Sequence, residues 1–162
     1  MATVDELVGA CRKDSERQPE RQPISWQRAN WEKLWEAAPD LPASDVLDAI
    51  DIEVASDGRG TIRRSWIRGL ADGDPLVFLA ASTIWGFGDY VRRGRPALRA
   101  MLSTQDVAAL TTDIIDAARR DAGAGFEALF DNRGRTRIKS LGIAFGTKVV
   151  HFLDTNTAAP AR

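Results

Sequence analysis

The sequence holds almost none of the residues that build redox, metal or disulfide chemistry. Its 162 residues include one cysteine, Cys11, and one histidine, His151. A single cysteine excludes an internal disulfide, and with it the small secreted scaffolds that depend on such crosslinks. The same shortage argues against a metal site with nitrogen or sulfur ligands. There is no CxxC pair, no HExxH and no Walker loop to give either residue a catalytic setting. His151 therefore reads as a helix-surface or half-buried side chain. Gly86-x-Gly88 has no strand before it, so it reads as a helix stop rather than a dinucleotide-binding loop. No apolar run approaches the roughly 20 residues that span a bilayer. Met1 to Glu6 lacks the basic-then-apolar order of a secretory signal. The expectation is a cytoplasmic protein that needs no metal and no cofactor.

What is present is enough apolar material for one domain. The apolar fraction is 44 %, ordinary for a globular chain of this length. The net charge of −1 conceals a division. Residues 1–57 carry 6 basic and 13 acidic side chains; residues 58–162 carry 16 basic and 10 acidic ones. Most of the basic residues are arginines, and they cluster. Arg59, Arg63, Arg64 and Arg68 form one group; Arg92, Arg93, Arg95 and Arg99 a second; Arg133, Arg135, Arg137 and Lys139 a third. Such a split suits a polyanion-binding region beside an acidic one, and equally a solvated surface held by internal ion pairs.

The apolar spacing is helical throughout. Val4, Leu7 and Val8 predict a short helix from Thr3 to Arg12, and the polar, proline-containing stretch to Pro23 reads as a linker. Trp31, Leu34, Trp35 and Ala38 recur at three and four residues, the stripe of a helix packed on a core. Ser44 reads as the cap of a helix carrying Val46, Leu47 and Ile50. A short strand at Ile52 to Ala55 is an alternative with no evident partner. Thr61 to Ala71 suits a helix. Asp74-Pro75 is the strongest start signal, an acidic cap followed by proline at the first helical position. Leu76 to Trp85 is apolar nearly all round, which predicts a central helix. Further helices are expected from Pro96 to Leu102, from Thr104 to Arg120, and from Phe126 to Phe130. A turn is expected at Asp131 to Gly134. The last pair, Thr136 to Leu141 and Gly146 to Leu153, is joined by Gly142 to Phe145. The fold class is thus all-α: a compact multi-helix domain ending in a helix–hairpin–helix element. Its parts are an acidic, tryptophan-containing region over residues 1–57, a basic region over 58–154, and a disordered tail over 155–162, with one compact domain overall.

That last pair carries the most chemistry. A tight hairpin would leave the backbone N–H groups of Gly142 to Gly146 open to a phosphate, and the second helix would add the positive end of its dipole. Thr147 and Lys148 would stand in its first turn. A positive helix end disfavours the charged ammonium, the direction a nucleophilic amine needs. A plain surface lysine fits the spacing as well.

Leu141 to Val150, with its Gly146-Thr147-Lys148-Val149 step, resembles the hairpin of the 8-oxoguanine DNA glycosylases in the helix–hairpin–helix superfamily. Two segments are similar to the bacterial OGG-fold members in particular: Gly73-Asp74-Pro75 through Trp85-Gly86-Phe87-Gly88, and Ile138 through Lys148 to Phe152. The resemblance covers roughly residues 73 to 154. It implies that a damaged purine, 8-oxoguanine or similar, is flipped out of duplex DNA. Lys148 would then attack the sugar as Schiff-base nucleophile. It also implies that Gly142, Ala144, Gly146 and Thr147 meet the DNA backbone, with Arg133, Arg135, Arg137 and Lys139 on flanking phosphates. Trp85 and Phe87 would line the base pocket. One departure stands out. The family places its catalytic aspartate well downstream of the lysine, and this sequence ends first. Asp154 is the remaining acid after Lys148 and the candidate for that catalytic role; six residues along a helix is about 600°, which would turn it away from the lysine, so it would serve only after the helix ends. A non-catalytic DNA-binding or damage-recognition module is therefore the second expectation. A protein-interaction domain that uses the N-terminal region is the third.

Overall fold

A computed structural model describes residues 24–57 and 60–153 of the chain. The expected helix at Thr3 to Arg12, the linker after it and the tail from residue 155 lie outside these residues. Among the described residues the order is β1 (Ile24–Ser25), α1 (Arg28–Ala37), α2 (Val46–Asp57), β2 (Thr61–Ile62), α3 (Arg64–Leu70), α4 (Pro75–Phe87), α5 (Val91–Leu102), α6 (Val107–Arg120), α7 (Ala122–Glu127) and α8 (Ile143–Leu153). The all-α class holds. The strands form one antiparallel pair, with Ile24 opposite Ile62 and Ser25 opposite Thr61.

The molecule is organised around α4. Its start follows from the sequence: the Asp74 carboxylate accepts the Leu76 N–H at 2.7 Å, and Pro75 follows the cap. Every residue from Val77 to Trp85 is buried, because a helix apolar on all sides is stable only when enclosed on all sides. The enclosing elements are α2, α3, α5, α6 and α8. Phe78, Leu79 and Ile84 from α4 join Ile67, Leu98, Met101, Ile114 and Phe152 in one hydrophobic cluster. Each such side chain contributes about 1.5–3 kcal/mol on burial. Trp31, Leu34 and Trp35 of α1 belong to the same cluster, so the tryptophan stripe is core packing. Residues 24–57 thus share a single core with the rest of the described chain.

Several boundaries differ from the sequence expectation. Ile52 to Ala55 is helix, inside α2. Thr61 and Ile62 are strand, and the helix expected to begin there starts only at Arg64. α5 begins at Val91, with Pro96 inside it rather than at its head. Pro96 falls just beyond the first turn, where one missing N–H costs the helix a single bond. Thr104 does not cap α6. Its hydroxyl donates to the Ala100 carbonyl at 3.1 Å, and Asp106 takes the cap position. The short helix expected at Phe126 lies earlier, as α7, where Gly125 packs against Ala118 of α6.

Thr136 to Leu141 is not a helix. Thr136 bridges to Phe130. The Arg137 N–H goes to the Leu129 carbonyl at 2.9 Å. The Lys139 N–H goes to the Thr104 hydroxyl at 3.0 Å. With these donors taken by distant acceptors, no i→i−4 ladder forms. Ile138 and Leu141 are buried and anchor the segment, while Lys139 and Ser140 face outward.

The Lys148 site and the basic surface

α8 begins at Ile143, three residues earlier than the Gly-Thr-Lys step suggests. The Gly142 carbonyl already accepts the N–H groups of Phe145 and Gly146, at 3.0 and 2.8 Å. Those two hairpin donors are therefore bonded within the chain rather than open to a phosphate. Lys148 is the sixth residue of α8, in its second turn, beyond the reach of the helix-end dipole invoked from the sequence.

Other neighbours place the amine instead. Lys148 Nζ donates to the Gly86 carbonyl at 3.4 Å, near the C-terminal end of α4. It stands 4.9 Å from the centre of the Phe145 ring, one turn back along α8. Phe145 in turn stacks on Phe87 at 4.2 Å with the planes 21° apart. The Phe145 ring lies so close to α4 that a β-carbon at position 86 would meet its Cε1 at 2.5 Å. Gly86, Phe87, Phe145 and Lys148 thus form one contiguous group where α4 and α8 meet. Among the described residues no carboxylate pairs with Lys148. Asp154 lies outside the described residues.

The remaining residues singled out from the sequence divide. Gly142, Ala144 and Thr147 are exposed around the start of α8. The Thr147 hydroxyl donates to the Ile143 and Ala144 carbonyls at 2.9 and 3.1 Å. Gly146 is buried, and a β-carbon there would lie 2.5 Å from Leu129 Cδ1, so its small size serves packing. Phe87 belongs to the Lys148 group. Trp85 does not: it is 7 % exposed, edge-on to Phe152 at 5.2 Å, and its indole N–H is buried with no hydrogen-bond partner among the described residues.

The third arginine cluster is largely engaged. Arg135 pairs with Asp131 at 2.9 Å. Arg137 pairs with Asp113 at 2.8 Å and also donates to the Ala128 carbonyl. The Asp131 carboxyl is held below its ordinary range chiefly by the Arg135 backbone N–H; burial, next in size, opposes this, and the Arg133 N–H and the Arg135 side chain add to the lowering. The side chains of Arg133 and Lys139 point outward and make no ion pair among the described residues. Phe130, Asp131, Asn132, Arg133 and Arg137 line an open pocket of about 520 Å³.

The acidic half organises around one arginine. Arg28 bridges Asp51 at 2.5 Å, Asp48 at 2.7 Å and Glu32 at 3.3 Å, and these carboxylates, Asp51 first, hold its guanidinium firmly protonated. Among the described residues no three His, Cys, Asp or Glu side chains gather as metal ligands. No described helix is long and apolar enough to cross a membrane.

Phe145 and Gly86 escaped the sequence reading. The signal was available in part: Phe145 stands three residues before Lys148, one helical turn, but only if the helix is started at Ile143. Comparison with known families gives one match. The family model described as "Putative 8-oxoguanine DNA glycosylase OGG-like protein" matches residues 17–162. The match reaches well ahead of residues 73 to 154, where the motifs lie. No curated protein and no solved structure matches.

Proposed function

From the premise that this chain belongs to the 8-oxoguanine DNA glycosylase OGG-like family, we propose that it excises an oxidised or otherwise modified purine from DNA with Lys148 as the nucleophile. Family membership supports a DNA glycosylase-type activity with DNA as the partner. The lysine, the purine and the chemistry are the added reading. The observation that carries it is the placement of the amine. Lys148 Nζ is on the surface, yet held at a defined point by the Gly86 carbonyl and the Phe145 face.

In this reading the flipped nucleotide meets Lys148 beside the Phe87–Phe145 stack, which offers an aromatic face to a base. The unprotonated amine attacks the sugar C1′. A C–N bond forms as the bond from C1′ to the base breaks, and the base leaves carrying the electron pair and takes a proton. The sugar ring opens to a Schiff base with Lys148, and elimination of the 3′ phosphate then cuts the strand. Gly142, Ala144 and Thr147 at the start of α8 meet the DNA backbone, as do Arg133 and Lys139.

Borohydride reduction in the presence of duplex carrying 8-oxoguanine or another modified purine tests this. The wild-type protein gives a covalent adduct that survives denaturation, and Lys148→Ala gives none. A folded wild-type protein that neither traps nor releases any base from a panel of lesions sinks the lysine mechanism. A second reading has its own support, because no described carboxylate accompanies Lys148. On that reading the protein recognises damage without excising it, and lesion-selective binding persists unchanged in Lys148→Ala.

A further inference from the structure

The ion pairs sort the arginines. In the third cluster Arg135 and Arg137 are bound to Asp131 and Asp113. In the first, Arg63 is paired with Glu53 at 2.6 Å, and Arg68 donates to the Phe152 carbonyl at 3.0 Å. Arg119 is tied to Asp72 and to the Ala71 carbonyl. The second cluster differs. Among the described residues the side chains of Arg92, Arg93, Arg95 and Arg99 make no ion pair and no hydrogen bond.

All four lie on α5, which has no acidic residue in its twelve. Gly94, Leu98, Met101 and Leu102 turn one face of α5 into the core. Arg92, Arg95 and Arg99, at spacings of three and four, share another. From Arg92 to Arg99 the helix rises about 10 Å, which matches about three nucleotides of one strand at 3.4 Å each.

The ends of this stripe are fixed by contacts. Gly94, in the first turn of α5, packs so tightly that a β-carbon there would meet Trp31 at 2.5 Å and Phe87 at 3.0 Å. Phe87 is the ring that stacks on Phe145, beneath Lys148. At the other end, Thr104 follows α5 and its hydroxyl accepts the Lys139 N–H. α5 therefore runs from the Lys148 group to Lys139. Asp89 and Asp106 flank the helix but are not on it, and the Asp89 carboxylate accepts the Ser25 hydroxyl at 3.3 Å.

We propose that α5 is the phosphate-contacting element of this protein, with Arg92, Arg95 and Arg99 laid along one strand of duplex DNA that leads to Lys148. The proposal rests on the reading of a DNA-acting protein given above. It moves most of the backbone contact from the arginine cluster beside the hairpin to a helix in mid-chain. Unpaired guanidiniums can exchange counterions for phosphates without first breaking an internal ion pair, whereas Arg135 and Arg137 must give up theirs.

The test is the salt dependence of binding to an unmodified fluorescent duplex by the full chain. Neutralising three phosphate contacts flattens the slope of log affinity against log salt by about 2.7. Arg92→Ala/Arg95→Ala/Arg99→Ala is therefore expected to lose that much slope, and about tenfold or more in affinity at low salt. Arg92→Gln/Arg95→Gln/Arg99→Gln, which keeps long helix-forming side chains, shows the same loss should the alanine variant not fold. Replacing the three with lysine retains the slope. Arg135→Ala/Arg137→Ala leaves the slope near that of wild type. If wild type binds with a steep slope and the α5 variants match it, the α5 assignment is overturned while the DNA reading stands. If Arg135→Ala/Arg137→Ala flattens the slope more than the α5 variants do, the assignment is likewise overturned. If wild type shows no salt-sensitive duplex binding at all, the DNA reading falls, and this proposal with it.

Discussion

A β-carbon built on Gly86 lies 2.5 Å from Phe145 Cε1, closer than non-bonded carbon atoms come. Phe145 also stacks on Phe87, so moving the ring disturbs that stack. Gly86→Ala must therefore displace Phe145, and with it the face over which Lys148 is held. Helix propensity works in the opposite direction, since alanine in a helix is favoured over glycine by about 1 kcal/mol. Gly86→Ala is expected to leave the unfolding midpoint in urea nearly unchanged. It should slow single-turnover borohydride trapping by about 100-fold, the effect of an ångström-scale misplacement of a reacting group. A trapping rate equal to wild type would show that the contact does not set the amine. Sequence could not have supplied this contact: a glycine near the end of an apolar helix reads as a stop signal. Only the approach of a second helix, sixty residues away in the chain, gives its small size a purpose.

At the scale of the element, legibility followed how local the determinants are. The start of α4 was readable to the residue because its cap and its proline adjoin each other, while its end runs two residues past the expected stop, through Gly86 to Phe87. α1 was readable from its tryptophan spacing. The segment before α8 was not, because its donors are satisfied by Leu129 and Thr104 and not by neighbours in sequence. That non-helical segment lets α8 start early and moves Lys148 into the second turn. The turn expected at Asp131 to Gly134 is another local feature that the structure keeps, with the Gly134 N–H donating to the Asp131 carbonyl at 2.9 Å. The Asp131 Oδ1 accepts the N–H groups of both Arg133 and Arg135 at 2.9 Å. Its pKa is lowered from 3.8, so its contribution to stability is complete above that value and is lost as the pH falls through the lower folded one. Asp131→Asn keeps an acceptor without the charge. The variant should be less stable than wild type at neutral pH. The gap should narrow as the pH drops below about 4, as read by thermal unfolding across an acid series. A gap that stays constant with pH would mean the charge contributes nothing to the turn.

For the whole molecule, the pairing of charges differs between the acidic half and α5. In the acidic half Glu32, Asp48 and Asp51 gather on Arg28, and Glu53 pairs with Arg63. The arginines of α5 make no ion pair among the described residues. Net charge alone could not separate these cases, because pairing is a property of the fold. The family match spans both halves, in keeping with a core shared between them.

The position of α8 in the chain carries a consequence for how the molecule comes into being. α8 is the last described helix, and it packs against α3, α4, α6 and α7. It also supplies Val149, Val150, Phe152 and Leu153 to the core. During synthesis the earlier helices emerge first and wait for it. A chain halted after Gly142 is expected to retain much of its helical far-ultraviolet signal while binding a hydrophobic dye and lacking a cooperative melt, the marks of an unfinished interior. If that chain melted cooperatively, the interior would close without α8. Lys148 rides on this late-emerging helix. The amine therefore takes its place beside Gly86 and Phe145 only when α8 is seated on the core, and a half-folded chain holds no positioned Lys148.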